Sequence, residues 1–224
     1  MQNQNSSANK CGVAVIAASE FNKEKFLEMK NANLFEYYVA VDGGYERFVE
    51  LEMVPDIALG DFDSLGYEPT GIRRSMFPRE KDDSDLELTL ERLFLDGYRQ
   101  IYIFGALGGR LDHTLASLRS CAIASRRGCD IEMIGISEHI IFLTGEGYFE
   151  RNDLTDCTDI SPATVSLMPI LSPCKGLFIR GLKYESDDAK IDDNGSLCLS
   201  NETTDDPILI GLEKGTIAII INTA

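Results

Sequence analysis

Three aspartates in the first third of the chain follow directly on apolar runs. Asp42 follows residues 37–41, and Asp61 and Asp63 follow residues 57–60. Two carboxylates one residue apart face opposite sides of an extended strand, but both can turn towards one cation where the chain curls just beyond the strand end. Mg²⁺ suits such a pair because it takes oxygen ligands, usually one or two carboxylates together with phosphate oxygens. The spacing therefore indicates a magnesium site, with a solvated acidic turn as the alternative.

The segment KDDSD, residues 81–85, adds further carboxylates and one cation at the start of a predicted helix. Asp82 and Asp85 extend the acidic set, and Lys81 stands just outside the helix, where it could reach a phosphate. The alternative for Asp85 is purely structural, because a negative charge stabilises the first turn of a helix.

The segment GALGGRLDH, residues 105–113, joins a predicted strand to a predicted helix. Glycines let a backbone approach a ligand closely, and the N–H groups at a helix start favour an anion. Arg110 supplies a planar guanidinium for a phosphate. The structural alternative is an ordinary glycine-rich loop, and His113 is interpreted as a polar residue rather than as a metal ligand.

The order of elements predicts the fold that would hold these segments. Strands are predicted at residues 12–18, 36–42, 56–61, 100–106 and 131–136, and helices at residues 45–51, 84–97 and 112–128. Ser84 is the predicted N-cap of the middle helix and Gly97 its stop. Strands separated by helices indicate a doubly wound, mostly parallel α/β sheet, in which ligands bind at the carboxyl ends of the strands. The acidic and glycine-rich segments all fall at that edge.

After about residue 145 the pattern changes to short apolar runs and turns. Asn194-Gly195 is typical of a hairpin turn, and Lys214-Gly215 is a weaker signal of the same kind. We predict a disordered lead-in at residues 1–10, an α/β nucleotide-binding domain at residues 11–147 and a small all-β sandwich at residues 148–224. Within the sandwich, Tyr184 and the pair Ser200-Asn201 stand out weakly, with a half-buried strand aromatic and an ordinary turn as the alternatives.

The composition of the chain limits the kinds of molecule that it is expected to bind. The net charge of −16 argues against binding to nucleic acids or anionic membranes, although a divalent metal would still allow a nucleotide to bind. Six scattered cysteines without a C-x-x-C pair, and only two histidines, argue against zinc and for thiols in a reducing compartment. With no signal-peptide core in the N-terminal segment, we expect a cytoplasmic protein. The P-loop, the G-x-G-x-x-G fingerprint, the G-x-S-x-G elbow and a consistent EF-hand loop are all absent.

The ordered series DGG, GDFDS, KDDSD, GGRLDH, GLKYE and SNE closely resembles the thiamine pyrophosphokinase family, from about residue 13 to the C-terminus. The resemblance implies transfer of an intact diphosphate from ATP to the hydroxyethyl oxygen of thiamine, which yields thiamine diphosphate and AMP. It also implies Mg²⁺ as cofactor and a homodimer whose active sites lie between the α/β domain of one chain and the β domain of the other.

The resemblance also assigns residue roles. Asp61, Asp63 and Asp85 would hold Mg²⁺, and Asp42 and Asp82 would support the metal or orient its waters. The three ligands and Asp82 are the predicted catalytic set, and from the mechanism we expect Asp82 or Asp61 to accept the alcohol proton. The nucleotide would contact Asp42, Gly43, Gly44, Lys81, Gly108, Gly109 and Arg110. Thiamine would contact Asp112, His113, Tyr184, Ser200 and Asn201. Many relatives carry Trp at the position of Tyr184. This chain has no Trp, but a Tyr ring still offers a flat face to a cationic heterocycle.

Three other functions remain open from the sequence. The same scaffold could transfer diphosphate to another alcohol, such as a hydroxymethylpterin. A non-catalytic sensor of thiamine or its diphosphate is disfavoured, because a sensor need not keep a site for metal and phosphate. A glycosyltransferase of the DxD type, using Mn²⁺ and a nucleotide sugar, would leave GALGGRLDH and the β domain unexplained.

Overall fold

The structure is a computed structural model that describes residues 12–62, 65–76, 84–145, 147–151, 163–191 and 198–222. Within these ranges the α-helices are α1 (Lys23–Asn31), α2 (Tyr45–Glu50), α3 (Asp85–Leu95) and α4 (Leu111–Arg126). The strands of the first half are β1 (Gly12–Ile16), β2 (Phe35–Val41), β3 (Ile57–Gly60), β4 (Arg73–Met76), β5 (Gln100–Phe104), β6 (Asp130–Ile134) and β7 (Glu138–Thr144). Those of the second half are β8 (Gly147–Arg151), β9 (Thr164–Pro169), β10 (Cys174–Arg180), β11 (Ser186–Ile191), β12 (Asn201–Glu202), β13 (Ile208–Leu212) and β14 (Thr216–Asn222).

Six parallel strands form the first half of a large sheet, in the order β4-β3-β2-β1-β5-β6. Alternate residues of these strands point to opposite faces, and both faces are buried. On β1, Val13 and Val15 pack towards α3 and α4, while Ala14 and Ile16 pack towards α1 and α2. Helices therefore cover both faces, and the predicted doubly wound, mostly parallel sheet is confirmed.

Helix α3 begins where the sequence predicts, because Ser84 caps it. The Ser84 hydroxyl accepts a hydrogen bond from the N–H of Glu87 at 3.2 Å, which satisfies one of the donors left free at a helix start. Leu86, Leu90 and Leu93 are buried and form the apolar stripe of the helix. The cap fixes the first residue of the helix, Asp85, at the edge of the sheet.

The large sheet continues beyond the parallel strands without a break. β7 pairs antiparallel with β6, and β14, β9 and β12 follow, so the sheet has ten strands in all. A separate four-stranded antiparallel sheet, in the order β11-β10-β13-β8, packs against this antiparallel part. The predicted sandwich thus shares one of its two layers with the α/β sheet. The boundary at residues 147–148 stays a prediction.

One hairpin prediction is wrong. The turn at Lys214-Gly215 joins β13 of the four-stranded sheet to β14 of the ten-stranded sheet, so it connects two layers and not two paired neighbours. The other predicted hairpin, at Asn194-Gly195, lies outside the described residues. None of the helices in the described ranges is both long and apolar enough to cross a membrane.

Candidate active site

The site is built where the chain changes direction across the parallel sheet. Strands β1 and β5 are neighbours, but the connection after β1 leads towards β2 and the one after β5 leads towards β6, which leaves a crevice at their carboxyl ends. Two backbone hydrogen bonds hold the two strand ends together, from Ala17 N–H to Phe104 O at 2.8 Å and from Ser19 N–H to Gly105 O at 2.7 Å. A cleft of about 510 Å³ opens above them.

Asp42 braces the end of β3 from the end of β2. It opens a short 3₁₀ turn, Asp42–Gly44, with a φ of +47°, a conformation that aspartate tolerates better than most residues. Its Oδ1 accepts hydrogen bonds from the N–H of Asp61 at 3.0 Å and from the N–H of Phe62 at 3.4 Å. The carboxylate therefore fixes the backbone from which the Asp61 side chain projects. The φ of Phe62 is +58°, so the chain does curl immediately after Asp61.

Gly60 makes that brace possible. Its φ is +144°, and a Cβ at this position would lie 1.8 Å from Asp42 Oδ1. We expect Gly60→Ala to lower the free energy of unfolding by about 3 kcal/mol, because backbone strain and a steric clash add. Gly128→Ala is the matched control. Its φ is +90°, but nothing lies within 4 Å of the added carbon, so the loss should be about 1 kcal/mol.

Urea denaturation of the two variants tests this expectation. Equal losses of stability in the two variants would mean that Asp42 does not occupy the space beside Gly60. Loss of catalytic rate in Gly60→Ala at temperatures where the variant is folded would link the brace to the site.

Three carboxyl groups meet at the cleft, from Asp42, Asp61 and Asp85. Burial raises the pKa of Asp42 to about 7, helped by a hydrogen bond with the side chain of Asp85 and by the charges of Asp85 and Asp61. Crowding of this kind disfavours ionisation until a cation neutralises the group. The cluster therefore has the electrostatics of a cation site.

The donors fit a hard divalent cation. All are carboxylate oxygens, which Mg²⁺ prefers, and Mg²⁺ usually takes only one or two carboxylates together with water and phosphate. Within the part of the chain that the structure describes, no group of three or more His, Cys, Asp or Glu side chains is placed to hold a metal ion. Asp63, the predicted third ligand, lies outside the described residues.

The glycine-rich segment lines the cleft at its start, through Gly105 and Ala106, whereas Gly108, Gly109 and Arg110 do not line it. Gly108 and Gly109 both have positive φ, and Thr114 Oγ1 donates to the Gly108 carbonyl at 3.1 Å, which ties the loop to the first turns of α4. Arg110 is exposed and forms a bidentate pair with Asp112, with its Nη2 2.6 Å from Oδ2 and its Nε 3.1 Å from Oδ1. This pair lowers the pKa of Asp112 and raises that of Arg110. A phosphate that reaches Arg110 must share it with Asp112.

The three predicted residues of the β domain lie together at one end of the sandwich. Tyr184 is 66% exposed on the turn between β10 and β11. Asn201 is buried and hydrogen-bonds the Tyr184 backbone, and the Ser200 N–H donates to Ser166 Oγ at 3.0 Å. None of the residues described beyond Ser117 lines the cleft, so Tyr184 and the acidic cluster are not part of one cavity within the described chain.

Comparison with known proteins shows the family. The catalytic domain of thiamin pyrophosphokinase matches residues 29–133, and the vitamin B1 binding domain of thiamin pyrophosphokinase matches residues 157–217. The chain belongs to the thiamine pyrophosphokinase family. The thiamine pyrophosphokinase of Bacillus subtilis (strain 168) is 27% identical over 193 residues, which cover 83% of this chain and 87% of that protein. Thiamin pyrophosphokinase 1 of Caenorhabditis elegans is 23% identical over 189 residues, 80% of this chain and 76% of that protein.

Solved structures agree on the fold. The crystal structure of the Bacillus subtilis thiamine pyrophosphokinase covers 94% of this chain and 99% of its own with a TM-score of 0.77, at 24% identity. The thiamin pyrophosphokinase of Candida albicans covers 96% and 90%, respectively, with a TM-score of 0.74, at 18% identity. The predicted fold class, family and enzyme class, a thiamine diphosphokinase that uses ATP, are confirmed by these findings and by the two matched domains.

The roles of individual residues in this thiamine pyrophosphokinase family member stay predictions. The structure brings Asp42, Asp61, Asp85, Asp112 and His113 to one cleft. Gly43 and Gly44 lie beside them in the 3₁₀ turn that Asp42 opens. Asp63, Lys81 and Asp82 lie outside the described residues.

One wall of the cleft was not predicted from the sequence. Ala17, Ala18 and Ser19 line it from the end of β1, and Ser117 lines it from α4. The position of β1 at the centre of a doubly wound sheet is the signal that could have identified its carboxyl end. Ser117 could not be predicted as a lining residue, because a single serine on a helix is as common on an ordinary exposed surface as at a binding site.

Proposed function

We propose that Asp61, Asp63 and Asp85 hold Mg²⁺ at this cleft during diphosphate transfer from ATP to thiamine. The observation that carries the proposal is the crowded carboxyl cluster, whose member Asp42 has its pKa raised to about 7 by burial and by its acidic neighbours. In a protein of net charge −16, a nucleotide polyphosphate needs a cation between itself and such a cluster. When bound, Mg²⁺ would neutralise charge on the polyphosphate.

The protein groups supply mainly position and charge. Lys81 and Arg110 contact phosphate oxygens, and the backbone N–H groups around Gly108 and Gly109 approach the anion at the start of α4. Asp42 fixes the Asp61 backbone, and Asp82 orients the surrounding groups. The thiamine hydroxyl attacks the β-phosphorus, its proton passes to a carboxylate of Asp82 or Asp61, and AMP leaves. Alignment of the alcohol with the phosphorus accounts for much of the rate.

A product analysis tests this proposal. The protein is incubated with MgATP and thiamine, and thiamine diphosphate, AMP and ADP are separated by chromatography. We expect thiamine diphosphate and AMP in equal amounts, and neither after EDTA treatment. ADP in place of AMP would contradict diphosphate transfer, and EDTA-resistant turnover would contradict the metal site.

The proposal includes a homodimer with shared sites. None of the described residues of the β domain lines the cleft, and the side chain of Tyr184 is exposed away from the cleft of its own chain. Leu111 and Leu115, one turn apart on α4 beside the cleft, are 71% and 58% exposed and offer an apolar surface to a second copy. In the dimer, the partner's Tyr184 would stack on the cationic ring of thiamine, with His113 and Asp112 on the other side.

Mixing two defective variants tests the shared site. Asp85→Asn removes a proposed metal ligand, and Tyr184→Ala removes the proposed stacking ring. If each site takes its parts from both chains, one of the two sites in a mixed dimer is intact. We expect subunit exchange at equal concentrations to restore about a quarter of wild-type activity. Activity that stays at the mean of the two separate variants would mean that each site is built from one chain.

A cytoplasmic location is also part of the proposal. None of the four described cysteines, Cys121, Cys129, Cys174 and Cys198, forms a disulfide bond within the described residues, in keeping with a reducing compartment.

A further inference from the structure

The turn that carries Tyr184 is held against strand β12 and the two residues that follow it. The N–H of Lys183 donates to Glu202 O at 2.9 Å, and Leu182 pairs with Thr203 in an isolated antiparallel bridge. At the start of the turn, Thr204 Oγ1 donates to the Gly181 carbonyl at 3.0 Å. The backbone of the turn is therefore fixed, although the Tyr184 ring at its tip is exposed.

Asn201 bonds the backbone of Tyr184 itself. Its side-chain Oδ1 accepts from the Tyr184 N–H at 2.9 Å, and its Nδ2 donates to the Tyr184 carbonyl at 2.8 Å. The same Oδ1 also accepts from the Glu202 N–H at 3.0 Å. Two N–H groups need an acceptor and one carbonyl needs a donor, so the orientation of the amide follows from its partners.

Asn201 is only 3% exposed, and its amide is occupied by these backbone groups. Such an environment differs from that of a residue that meets a substrate directly. A buried amide that bonds both the N–H and the carbonyl of one residue restricts rotation about that residue's backbone bonds. The conformational entropy of Tyr184 is then lost when the protein folds, so that less is lost when the ring stacks on a ligand.

Strand β12 also joins the two layers of the sandwich at this point. β12 pairs with β9 at the edge of the ten-stranded sheet, and the turn belongs to β10 and β11 of the four-stranded sheet. Through Asn201, the position of the Tyr184 turn is set by the neighbouring layer.

We propose that Asn201 is a positioning residue that acts on thiamine through Tyr184, and not a residue that contacts thiamine itself. The inference rests on the proposed function, in which the Tyr184 ring stacks on thiamine. It replaces the role in substrate contact that the sequence predicts for Asn201.

A double-mutant cycle tests the inference. We expect Asn201→Ala, and Asn201→Asp, which keeps the acceptor but loses the donor, to raise the KM for thiamine about tenfold. The KM for MgATP and kcat should stay within about twofold, because Asn201 is not part of the nucleotide cleft. In a Tyr184→Ala background the Asn201 substitutions should cause no further rise, since a positioning residue has nothing left to position.

Thr204→Val is the matched control. It removes a hydrogen bond to the same turn at Gly181 without touching Tyr184. It should lower the melting temperature while the KM for thiamine stays at the wild-type value. Hydrogen exchange adds a readout that needs no activity: the Tyr184 amide should exchange faster in Asn201→Ala and not in Thr204→Val.

The outcomes separate this inference from the proposed function. If the rise in the KM for thiamine in the double variant equals the product of the rises in the Asn201 and Tyr184 single variants, Asn201 contacts thiamine directly. That result would overturn the inference and leave the proposed function intact. A Thr204→Val variant with the same rise in KM, or Asn201 variants with wild-type KM, would also overturn it alone. If Tyr184→Ala keeps the wild-type KM, or the wild-type protein forms no thiamine diphosphate, the proposed function fails and the inference fails with it.

Discussion

Asp85→Asn should lower the rate of thiamine diphosphate formation by about a thousandfold, which corresponds to about 4 kcal/mol of lost transition-state stabilisation. The substitution removes a proposed metal-binding charge from the cleft and leaves the Ser84 cap in place. Removing the charge of Asp85 relieves its repulsion with Asp42 but also removes a favourable charge from the first turn of α3, so the stability without metal should stay within about 1 kcal/mol of the wild type. Initial rates across a Mg²⁺ titration give the measurement, and the variant should need more Mg²⁺ for half-maximal rate.

Asp96→Asn is the control on the same helix. Asp96 follows the last residue of α3, about 16 Å from Asp85 along the helix axis. Its partner is Arg92, at 2.7 Å in an exposed ion pair, and such pairs contribute little to stability. The same chemical change at this end should leave the rate and the Mg²⁺ dependence unchanged. A thousandfold loss in both variants would point to a general effect of charge and not to a metal site.

Asp42→Ala should lower the free energy of unfolding by about 1–3 kcal/mol and the catalytic rate by about a hundredfold. The loss of stability follows because the N–H of Asp61 loses its acceptor in a partly buried environment. The loss of rate follows because a displacement of about 1 Å in a ligand position costs about a hundredfold. Urea denaturation and initial rates, measured on the same preparation, give the two quantities.

Asp42→Asn keeps the hydrogen-bond acceptor at this position and removes the negative charge. An amide oxygen can still accept from the N–H groups of Asp61 and Phe62, and the amide removes a charge that is crowded by Asp85. We expect unfolding stability at or above that of the wild type and a rate about tenfold below it. If the Asn variant is as slow as the Ala variant, the negative charge of Asp42 matters more than its hydrogen bonds.

The sequence predicted the α/β half of the fold because local signals and tertiary packing agree there. The cap at Ser84, the apolar stripe of α3 and the buried strands β1, β2 and β5 are all visible as patterns. Helix α1 and strand β4 were missed. The helix buries only Phe26 and Met29, and the strand is an edge strand that is largely exposed, so neither has a periodic apolar face.

The division of the β strands between two layers could not be predicted. Strands β13 and β14 are both short and rich in isoleucine, yet they lie in different sheets. The pattern of apolar residues along a strand indicates which of its faces is buried, but it does not indicate which strand lies next to it. For this reason the turn at Lys214-Gly215 resembled a hairpin.

The candidate site was predicted as far as residue type and strand position allow. Asp42 and Asp61 meet in space because the carboxyl ends of parallel strands meet, and Asp85 joins them from the start of helix α3. Two features depend on long-range geometry and gave no sequence signal. Gly60 leaves room for the Asp42 carboxylate, which belongs to a different strand, and Asn201 bonds a residue 17 positions away.

The continuous ten-stranded sheet imposes an order on folding during synthesis. Strand β7 closes the α/β half, but its outer edge is paired by β14, as in the contact between Thr144 and Thr216, which lie 72 positions apart. While the ribosome adds those residues, a nascent chain with a folded nucleotide-binding half presents β7 as an open edge, the kind of surface that recruits other chains. The species most prone to association is therefore a translation intermediate in which β7 has folded and β14 has not yet been added.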